Sequence, residues 1–183
     1  MGSNQRSQIV MSDEEIVAFI HRSRTATLAT VGATGQPHLV AMWFGVIDGA
    51  GAHRAGVSRT GVEALPELWF ETKAKSQKAV NLRRDPRVTV MIEDGLTYDT
   101  LRGVAIEGTA AIYDDADSCL RTGISVWERY NGPYTDELRP AVDAMMHKRV
   151  AVRITPTRVR SWDHRKLNLP ALPLSGSTAQ HYS

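Results

Sequence analysis

The chain has 183 residues, with 22 lysines and arginines against 20 aspartates and glutamates, a formal net charge of +2 and one cysteine. A net charge so close to zero disfavours a protein built mainly to bind nucleic acid, and the longest apolar run, 39–47, is far shorter than the roughly 20 residues that cross a bilayer. Because the lone Cys119 cannot form an intrachain disulfide, the sequence predicts a cytoplasmic protein that folds by packing alone.

The first predicted elements are a helix and a β-hairpin. The helix begins after Ser12, because Ser12 and Glu15 fit a capping box and apolar residues follow at helical spacing. The residues before it, 1–11, are expected to form a flexible leader. The hairpin has small and β-branched residues in 25–31, a glycine-containing turn, and a second strand over 37–47. That strand is apolar on both faces, so something must cover each side of it.

The next part of the chain combines a loop with two short elements. Residues 48–66 are rich in glycine and lack hydrophobic periodicity, which predicts a long flexible loop inserted between two strands. Residues 68–72 are strand-like. Residues 76–84 suit a short helix that is capped by Ser76 and ends before Pro86, since proline disfavours helical conformation in the residue before it.

Two strands are predicted next, over 87–93 and 101–112, and the second alternates apolar and polar residues. Within it, Gly103 and Gly108 mark bulges or places where backbones approach closely.

Two helices and a last strand complete the predicted elements. The first helix is opened by Asp114-Asp115 and ends near 131–133, and its apolar stripe is formed by Ala116, Cys119, Leu120, Ile124 and Trp127. The second carries Pro140, which is tolerated near its first turn. The last strand runs over 149–162 and is interrupted at Pro156.

This order of elements favours a small barrel. Six mostly antiparallel strands with helices inserted late fit a closed sheet, since closure removes exposed strand edges, and they fit a parallel βαβ fold badly. We therefore expect a mainly β protein of the α+β class, with one domain over 12–165 and an extended tail over 166–183.

Basic side chains cluster in one short segment. Six of the 22 lysines and arginines lie within 73–87. Ser76 and Lys78 stand where a strand passes into a helix start, and there free backbone amides, a hydroxyl and an ammonium together favour a phosphate. A solvated basic face with an ordinary serine cap remains the alternative interpretation.

The sequence gives only weak signals for metal binding, nucleophilic hydrolysis and dinucleotide binding. The six histidines are scattered without the spacing of metal ligands, so we expect no metal site, although a single-histidine haem ligand stays possible. The segment around Ser58 lacks the second glycine of a nucleophile elbow, and the segment after Gly49 lacks the third glycine of a dinucleotide fingerprint.

The segment around Ser76 resembles that of a known family. Thr72-x₃-Ser76-x-Lys78, preceded by an apolar strand and followed by 81–87 (NLRRDPR), is similar to the phosphate-binding segment of the split β-barrel flavin proteins related to pyridoxamine 5′-phosphate oxidase. The likeness extends over about 12–162. Within that superfamily, SQKAVNLRRDPR and TLRGVAIEGTA look closer to the actinobacterial reductases that depend on the deazaflavin coenzyme F-420 than to the FMN-using oxidases. The resemblance implies a six-stranded antiparallel split β-barrel with peripheral helices.

The resemblance also implies where a cofactor binds. Residues of the second strand would line the isoalloxazine ring, namely Val40, Ala41, Met42 and Trp43. The end of the third strand and the turn after it would hold the ribityl phosphate, through Glu71, Thr72, Ser76, Gln77 and Lys78. The lactyl-oligoglutamyl tail of F-420 would add carboxylates for Lys73, Lys75 or Arg54. FMN oxidases of the family often have an arginine where this chain has Gln77, and glutamine cannot bind phosphate bidentately, which favours the deazaflavin.

The resemblance implies an oxidoreductase that transfers a hydride between reduced F-420 and an unsaturated small-molecule acceptor, working as a homodimer with the cofactor between the subunits. An FMN-dependent oxidase or reductase, and a flavin or haem binder without turnover, stay open as alternatives. The sequence fixes no catalytic residue. Tyr98, Tyr130 and His38 are the candidates for a proton donor.

Overall fold

The computed structural model describes residues 5–47 and 65–182. Seven strands lie in these ranges: β1 Ala26–Val31, β2 Pro37–Met42, β3 Gly45–Ile47, β4 Glu67–Lys73, β5 Arg87–Asp94, β6 Arg102–Tyr113 and β7 Arg149–Asp163. The α-helices of the same ranges are α1 Gln5–Gln8, α2 Asp13–Arg22, α3 Gln77–Arg84, α4 Ala116–Tyr130 and α5 Arg139–Met146, and 3₁₀ turns cover Asp136–Leu138, His164–Leu167 and Ala179–His181. The predicted loop over 48–66 lies outside the described residues except for its last two, and so does Arg54.

The strands form one antiparallel sheet in the order β2-β1-β5-β6-β7-β4-β3. β2 and β3 stand at opposite ends of this order, yet only Trp43 and Phe44 separate them in the chain. Two residues reach less than about 8 Å, so the sheet must roll up until its two ends meet. The predicted mainly β, antiparallel split-barrel class is confirmed.

The number of strands differs from the prediction. The strand predicted over 37–47 is in fact two strands, because the chain leaves the ladder at Trp43 and Phe44. The Phe44 amide donates instead to the Tyr130 hydroxyl, at 3.1 Å. A side chain from α4 therefore replaces a strand neighbour, and the sheet has seven strands where the sequence predicted six.

The inside of the rolled sheet holds the apolar core. Phe44 and Phe70 meet there with ring centroids 6.1 Å apart, and both are fully buried. Helix α2 contributes the apolar side of its amphipathic pattern to the same core, through Ile16, Phe19 and Ile20. The predicted capping box of α2 is present, since the Ser12 hydroxyl accepts from the Glu15 amide and the Glu15 carboxylate accepts from the Ser12 amide.

The two glycines of β6 occur where other groups approach closely. A Cβ at Gly103 would stand 2.3 Å from the Trp162 ring, and one at Gly108 would stand 2.3 Å from the Thr155 carbonyl oxygen. The register of β6 and β7 shifts between Glu107 and Gly108, opposite Pro156. The predictions of a bulge with close backbone approach at Gly108 and of an interruption at Pro156 are confirmed, whereas the close neighbour of Gly103 is the Trp162 side chain.

Helix α4 packs through small residues beside its apolar stripe. Its buried positions are Thr122, Gly123, Ser125 and Val126, whereas the stripe predicted from the sequence is half-buried or exposed. The Ser125 hydroxyl accepts from the Val46 amide at 3.0 Å and donates to the Val46 carbonyl at 2.8 Å. A Cβ at Gly45 would stand 2.9 Å from that hydroxyl oxygen. Small residues thus bring the helix backbone against the edge strand β3.

Residues before the predicted barrel domain contact its last strand, and Lys166, at the start of the predicted tail, contacts those residues in turn. The Ile9 carbonyl accepts from the Asp163 amide at 2.7 Å, and the Met11 amide donates to the Ser161 hydroxyl at 3.1 Å. Lys166 donates to the Val10 carbonyl, also at 2.7 Å. The division into 1–11, 12–165 and 166–183 stays a prediction. No helix within residues 5–47 and 65–182 combines the length and apolar character needed to cross a membrane.

A buried hydrogen bond fixes α3 on the sheet. Asn81 is fully buried, and its amide nitrogen donates to the Thr30 hydroxyl at 3.0 Å. Its amide oxygen accepts from Gln77 at 2.9 Å. Because buried polar groups must find partners, this bond specifies how the helix lies on β1.

Replacing Asn81 with leucine should lower the free energy of unfolding by about 1–3 kcal/mol, because the Thr30 hydroxyl would then be buried without its donor. Urea denaturation followed by circular dichroism measures the loss.

The control is the change at the partner. Removing both polar groups leaves no orphan, so Asn81→Leu combined with Thr30→Val should cost less than the sum of the two single changes. Strictly additive losses would contradict a specific bond between the two side chains.

Candidate functional site

A cavity of about 360 Å³ opens where the two ends of the rolled sheet meet. It brings together eight of the ten residues that the sequence assigned to a cofactor: Val40, Ala41, Met42, Trp43, Glu71, Thr72, Ser76 and Lys78. Lys73 and Arg149 complete its lining. β2 thus forms one wall, and the end of β4 with the start of α3 forms the other.

Ser76 marks the beginning of α3. Its hydroxyl caps the helix by accepting from the Ala79 amide at 3.4 Å, and it lies 3.0 Å from the Thr72 hydroxyl. Free amides and the positive end of the helix dipole therefore lie at the cavity wall beside two hydroxyl groups. This arrangement can bind an oxyanion such as phosphate.

Lys78 supplies a cation to the same wall. Its side chain is half-buried and makes no hydrogen bond with the part of the chain that the structure describes. Burial lowers the pKa of the Lys78 ammonium, and the nearby Arg149 charge lowers it further, while Glu71 acts in the opposite direction. An anion in the cavity would offset both unfavourable effects.

Arg149 is a site residue that the sequence analysis missed. It starts β7 and stands opposite Lys73 in the β4–β7 register, and its guanidinium binds the Glu71 carboxylate. Its Nε is buried and has no hydrogen-bond partner among residues 5–47 and 65–182. Arg149 lies 71 positions beyond Lys78 in the chain, so no local motif could have found it; only the pairing of β4 with β7 reveals it.

The β2 wall is apolar, and it ends in a stack of rings. Val40 and Met42 pack against the core, whereas Trp43 is 55% exposed. The Trp43 and Tyr130 rings are parallel, with centroids 4.2 Å apart and an interplanar angle of 4°. The Arg24 guanidinium lies 5.0 Å from the centre of the Tyr130 ring. Trp43 is thereby held as a flat surface at the cavity mouth.

Two of the predicted cofactor residues lie outside the cavity lining. Lys75 is exposed, and Gln77 is exposed with its amide turned toward Asn81. Their assignment stays a prediction.

Most of the basic cluster over 73–87 has structural partners. Lys73 donates to the His147 carbonyl at 3.0 Å, Arg83 donates to the Ala74 carbonyl at 2.6 Å, Arg84 donates to the Val31 carbonyl, and Arg87 pairs with Asp85. Within this cluster, Lys78 is the cation that faces the cavity without such a tether.

The three candidate proton donors have different surroundings. The Tyr130 hydroxyl donates to the Arg24 carbonyl at 2.7 Å and accepts from Phe44, which indicates a structural role. Tyr98 packs edge-on against His164, away from the cavity lining. His38 stands on β2 two residues before Val40, and its Nδ1 is buried without a partner among the described residues.

Across residues 5–47 and 65–182, no three His, Cys, Asp or Glu side chains gather closely enough to hold a metal ion. The cavity itself has an apolar wall that faces two hydroxyl groups, three cationic side chains and the Glu71 carboxylate.

Known proteins resemble the chain over most of its length. The crystal structure of a conserved hypothetical protein from Mycobacterium tuberculosis matches with a TM-score of 0.83 and 58% identity, covering 96% of this chain and 99% of that one. A reductase of the same species, named F-420H(2)-dependent biliverdin reductase, is 27% identical over 135 residues, which are 74% of this chain and 84% of that protein. A structure described as an F-420 reductase matches with a TM-score of 0.51 and 26% identity, covering 78% of this chain and 93% of that one.

A match to a family's sequence model, which covers nearly the whole barrel, identifies the family of this chain. The sequence model of the family described as pyridoxamine 5′-phosphate oxidase matches residues 12–163, from the N-cap of α2 to the last residue of β7. The chain belongs to this family.

Proposed function

We propose that the chain is an oxidoreductase that binds reduced coenzyme F-420 in the cavity between β2 and α3 and transfers a hydride to an unsaturated small-molecule acceptor. The observation that carries this proposal is the cavity itself, which has an apolar wall on one side and Ser76 with an untethered Lys78 on the other. A relative named for dependence on F-420 supports the choice of cofactor.

The residues present fit such a group. The apolar side chains of β2 and the flat face of Trp43 suit a tricyclic ring, and the start of α3 suits the phosphate. When bound, the deazaflavin supplies the hydride. The protein's part is to orient the ring, to exclude water with Val40, Met42 and Trp43, and to neutralise the phosphate with Lys78.

An FMN-dependent enzyme is the second candidate. The chain belongs to the family described as pyridoxamine 5′-phosphate oxidase, and the phosphate of FMN could occupy the same wall. Separate titrations with FMN, F-420 and haemin, followed by absorbance, distinguish the two cofactors from each other and from a haem binder.

Replacing Lys78 or Ser76 with alanine should weaken cofactor binding, by roughly tenfold to a hundredfold for Lys78, because a hydrogen bond to a charged group contributes about 1.5–3 kcal/mol. Fluorescence titration with F-420 and with FMN measures the change. The site assignment fails if neither change alters affinity for either cofactor.

Lys75→Ala serves as the comparison in the same titration. Lys75 lies outside the cavity lining, so its loss should leave FMN binding unchanged and should weaken only F-420, whose tail extends beyond the phosphate.

Cofactor affinity should fall as the pH rises through the pKa of Lys78. Only the protonated ammonium attracts the phosphate, and burial with the Arg149 charge lowers this pKa, so the loss should begin below the pH at which an ordinary lysine, with a pKa of about 10.4, deprotonates. Binding isotherms across the alkaline range measure it. Lys78→Arg stays charged and should keep its affinity there; an equal loss in both proteins would assign the effect to another group.

We also propose that two copies associate across the outer face of β2. Leu39, Trp43 and Met91 are 60%, 55% and 38% exposed, and pairing in register puts Ala41 and Met91 on either side of Thr27. Exposed apolar patches of this kind mark association sites. The face is continuous with the cavity, because Ala41 and Trp43 belong to both. The cavity is near the lower end of the roughly 300–1,000 Å³ that is typical of ligand pockets, and a second copy would enclose it further.

Leu39→Lys should shift the protein from dimer to monomer, because a charge would be buried at the interface without a partner. Light scattering coupled to size exclusion at micromolar concentration measures the mass. Leu96→Lys is the matched control, since Leu96 is 62% exposed and lies in the turn after β5, outside the strands β2, β1 and β5 that form this face. A monomeric unmodified protein would refute the proposed dimer.

The proposed compartment is the reducing cytoplasm. Cys119 is the single cysteine of the sequence and so cannot form an intrachain disulfide, and burial raises the pKa of its thiol.

A further inference from the structure

The cavity holds an uneven set of charges. Three cationic side chains, Lys73, Lys78 and Arg149, share it with one carboxylate, that of Glu71. Lys73 is tethered to the His147 carbonyl at 3.0 Å. Glu71 and Arg149 form an ion pair in which the Glu71 side chain is only 13% exposed. The positive charge that the cavity presents to an anion therefore depends on whether Arg149 is paired with Glu71.

A carboxylate in a phosphate-binding cavity needs an explanation. It repels the ligand, and Arg149 alone would make the site more attractive to any phosphate. The buried Nε of Arg149 also has no partner among the described residues, so Glu71 does not use the full donor capacity of the guanidinium. Glu71 thus neutralises the Arg149 guanidinium, which would otherwise be available to bind the ligand.

The two candidate cofactors differ in the charge of this phosphate. FMN ends in a phosphate monoester, which carries about −1.5 to −2 charges at neutral pH because its second pKa is near 6. The phosphate of F-420 is a diester that links the ribityl chain to lactate, and it carries a single negative charge. Lys73 and Lys78 keep their charges, whereas Glu71 neutralises Arg149. The pair therefore lowers the positive charge of the lining by one and reduces the advantage that a doubly charged phosphate would have over a singly charged one.

We propose that the Glu71–Arg149 pair is a specificity determinant that shifts the preference of this cavity away from a doubly charged phosphate monoester and toward a singly charged phosphodiester. The inference rests on the proposed cofactor site and adds the charge state of the ligand that the site selects. Glu71 acts in two ways: its carboxylate pairs with the Arg149 guanidinium, and it places a negative charge beside the phosphate.

The test compares two ligands that differ only at the phosphate: FMN and its methyl phosphodiester. The measured quantity is the ratio of the dissociation constant of the monoester to that of the diester, obtained by fluorescence titration at pH 7.5. Glu71→Gln removes the negative charge and frees Arg149, so the ratio should fall roughly tenfold, mainly through tighter binding of the monoester.

Arg149→Gln should change the ratio in the opposite direction. It leaves the Glu71 carboxylate unpaired beside the phosphate, which should weaken the doubly charged ligand more than the singly charged one. Combining both changes removes one charge of each sign, so the double variant should return close to the unmodified ratio. A pair with only a structural role would move both affinities together and leave the ratio constant.

Glu67→Gln is the matched control. Glu67 also lies on β4, and its carboxylate is 3.9 Å from the Arg153 guanidinium, but it does not line the cavity. The substitution removes the same charge as Glu71→Gln. Its ratio should equal that of the unmodified protein, and a fall as large as that of Glu71→Gln would mean that overall charge, not this pair, sets the preference.

The outcomes separate this inference from the proposed site. If Lys78→Ala weakens both ligands but Glu71→Gln leaves their ratio unchanged, the specificity role is refuted and the site stands. If neither ligand nor F-420 binds the unmodified protein, the proposed function is refuted together with the inference.

Discussion

The two-residue link between β2 and β3 constrains the whole molecule. The strands that it joins lie at opposite ends of a seven-stranded sheet, so the link exists only if the sheet rolls until those ends meet. Phe44 fills the core at this point, and the Tyr130 hydroxyl satisfies the amide that leaves the ladder. The core, the cavity and the position of α4 all depend on this closure.

Closure also explains why the candidate site lies where it does. The C-terminal end of β2 faces the C-terminal end of β4 and the start of α3, although β2 and β4 are not neighbours in the sheet. One wall is apolar because it continues a strand that packs on the core, and the other is polar because it is a helix start. An amphipathic cavity is therefore a result of topology, and the side chains of Lys78, Glu71 and Arg149 adjust its charge.

The sequence predicted what local patterns can express. Strand alternation, the Ser12 and Ser76 caps and the close backbone approach at Gly108 depend on near neighbours or on a glycine's missing side chain, and the structure contains them all. The break at Trp43 was not predicted, because its cause is Tyr130, a residue 86 positions away from the Phe44 amide that it binds. Arg149 was missed for the same reason. Lys75 and Gln77 show a second limit of local reasoning: both are adjacent to Ser76 in the sequence, yet neither lines the cavity, and their assignment to the cofactor stays a prediction.

The position of β7 bears on how this chain folds as it leaves the ribosome. β7 pairs with β6 on one side and β4 on the other, so among the strands of residues 5–47 and 65–182 it joins the β2-β1-β5-β6 group to the β4-β3 group by strand pairing. Until residues 149–163 have been synthesised, one edge of β4 and one edge of β6 have no partner, and unpaired edges invite association between nascent chains. Contacts so distant in sequence also slow folding, because the closure entropy of long loops opposes them. The barrel therefore closes only after β7 has left the ribosome, and until then the partner edges of β4 and β6 are open to other chains.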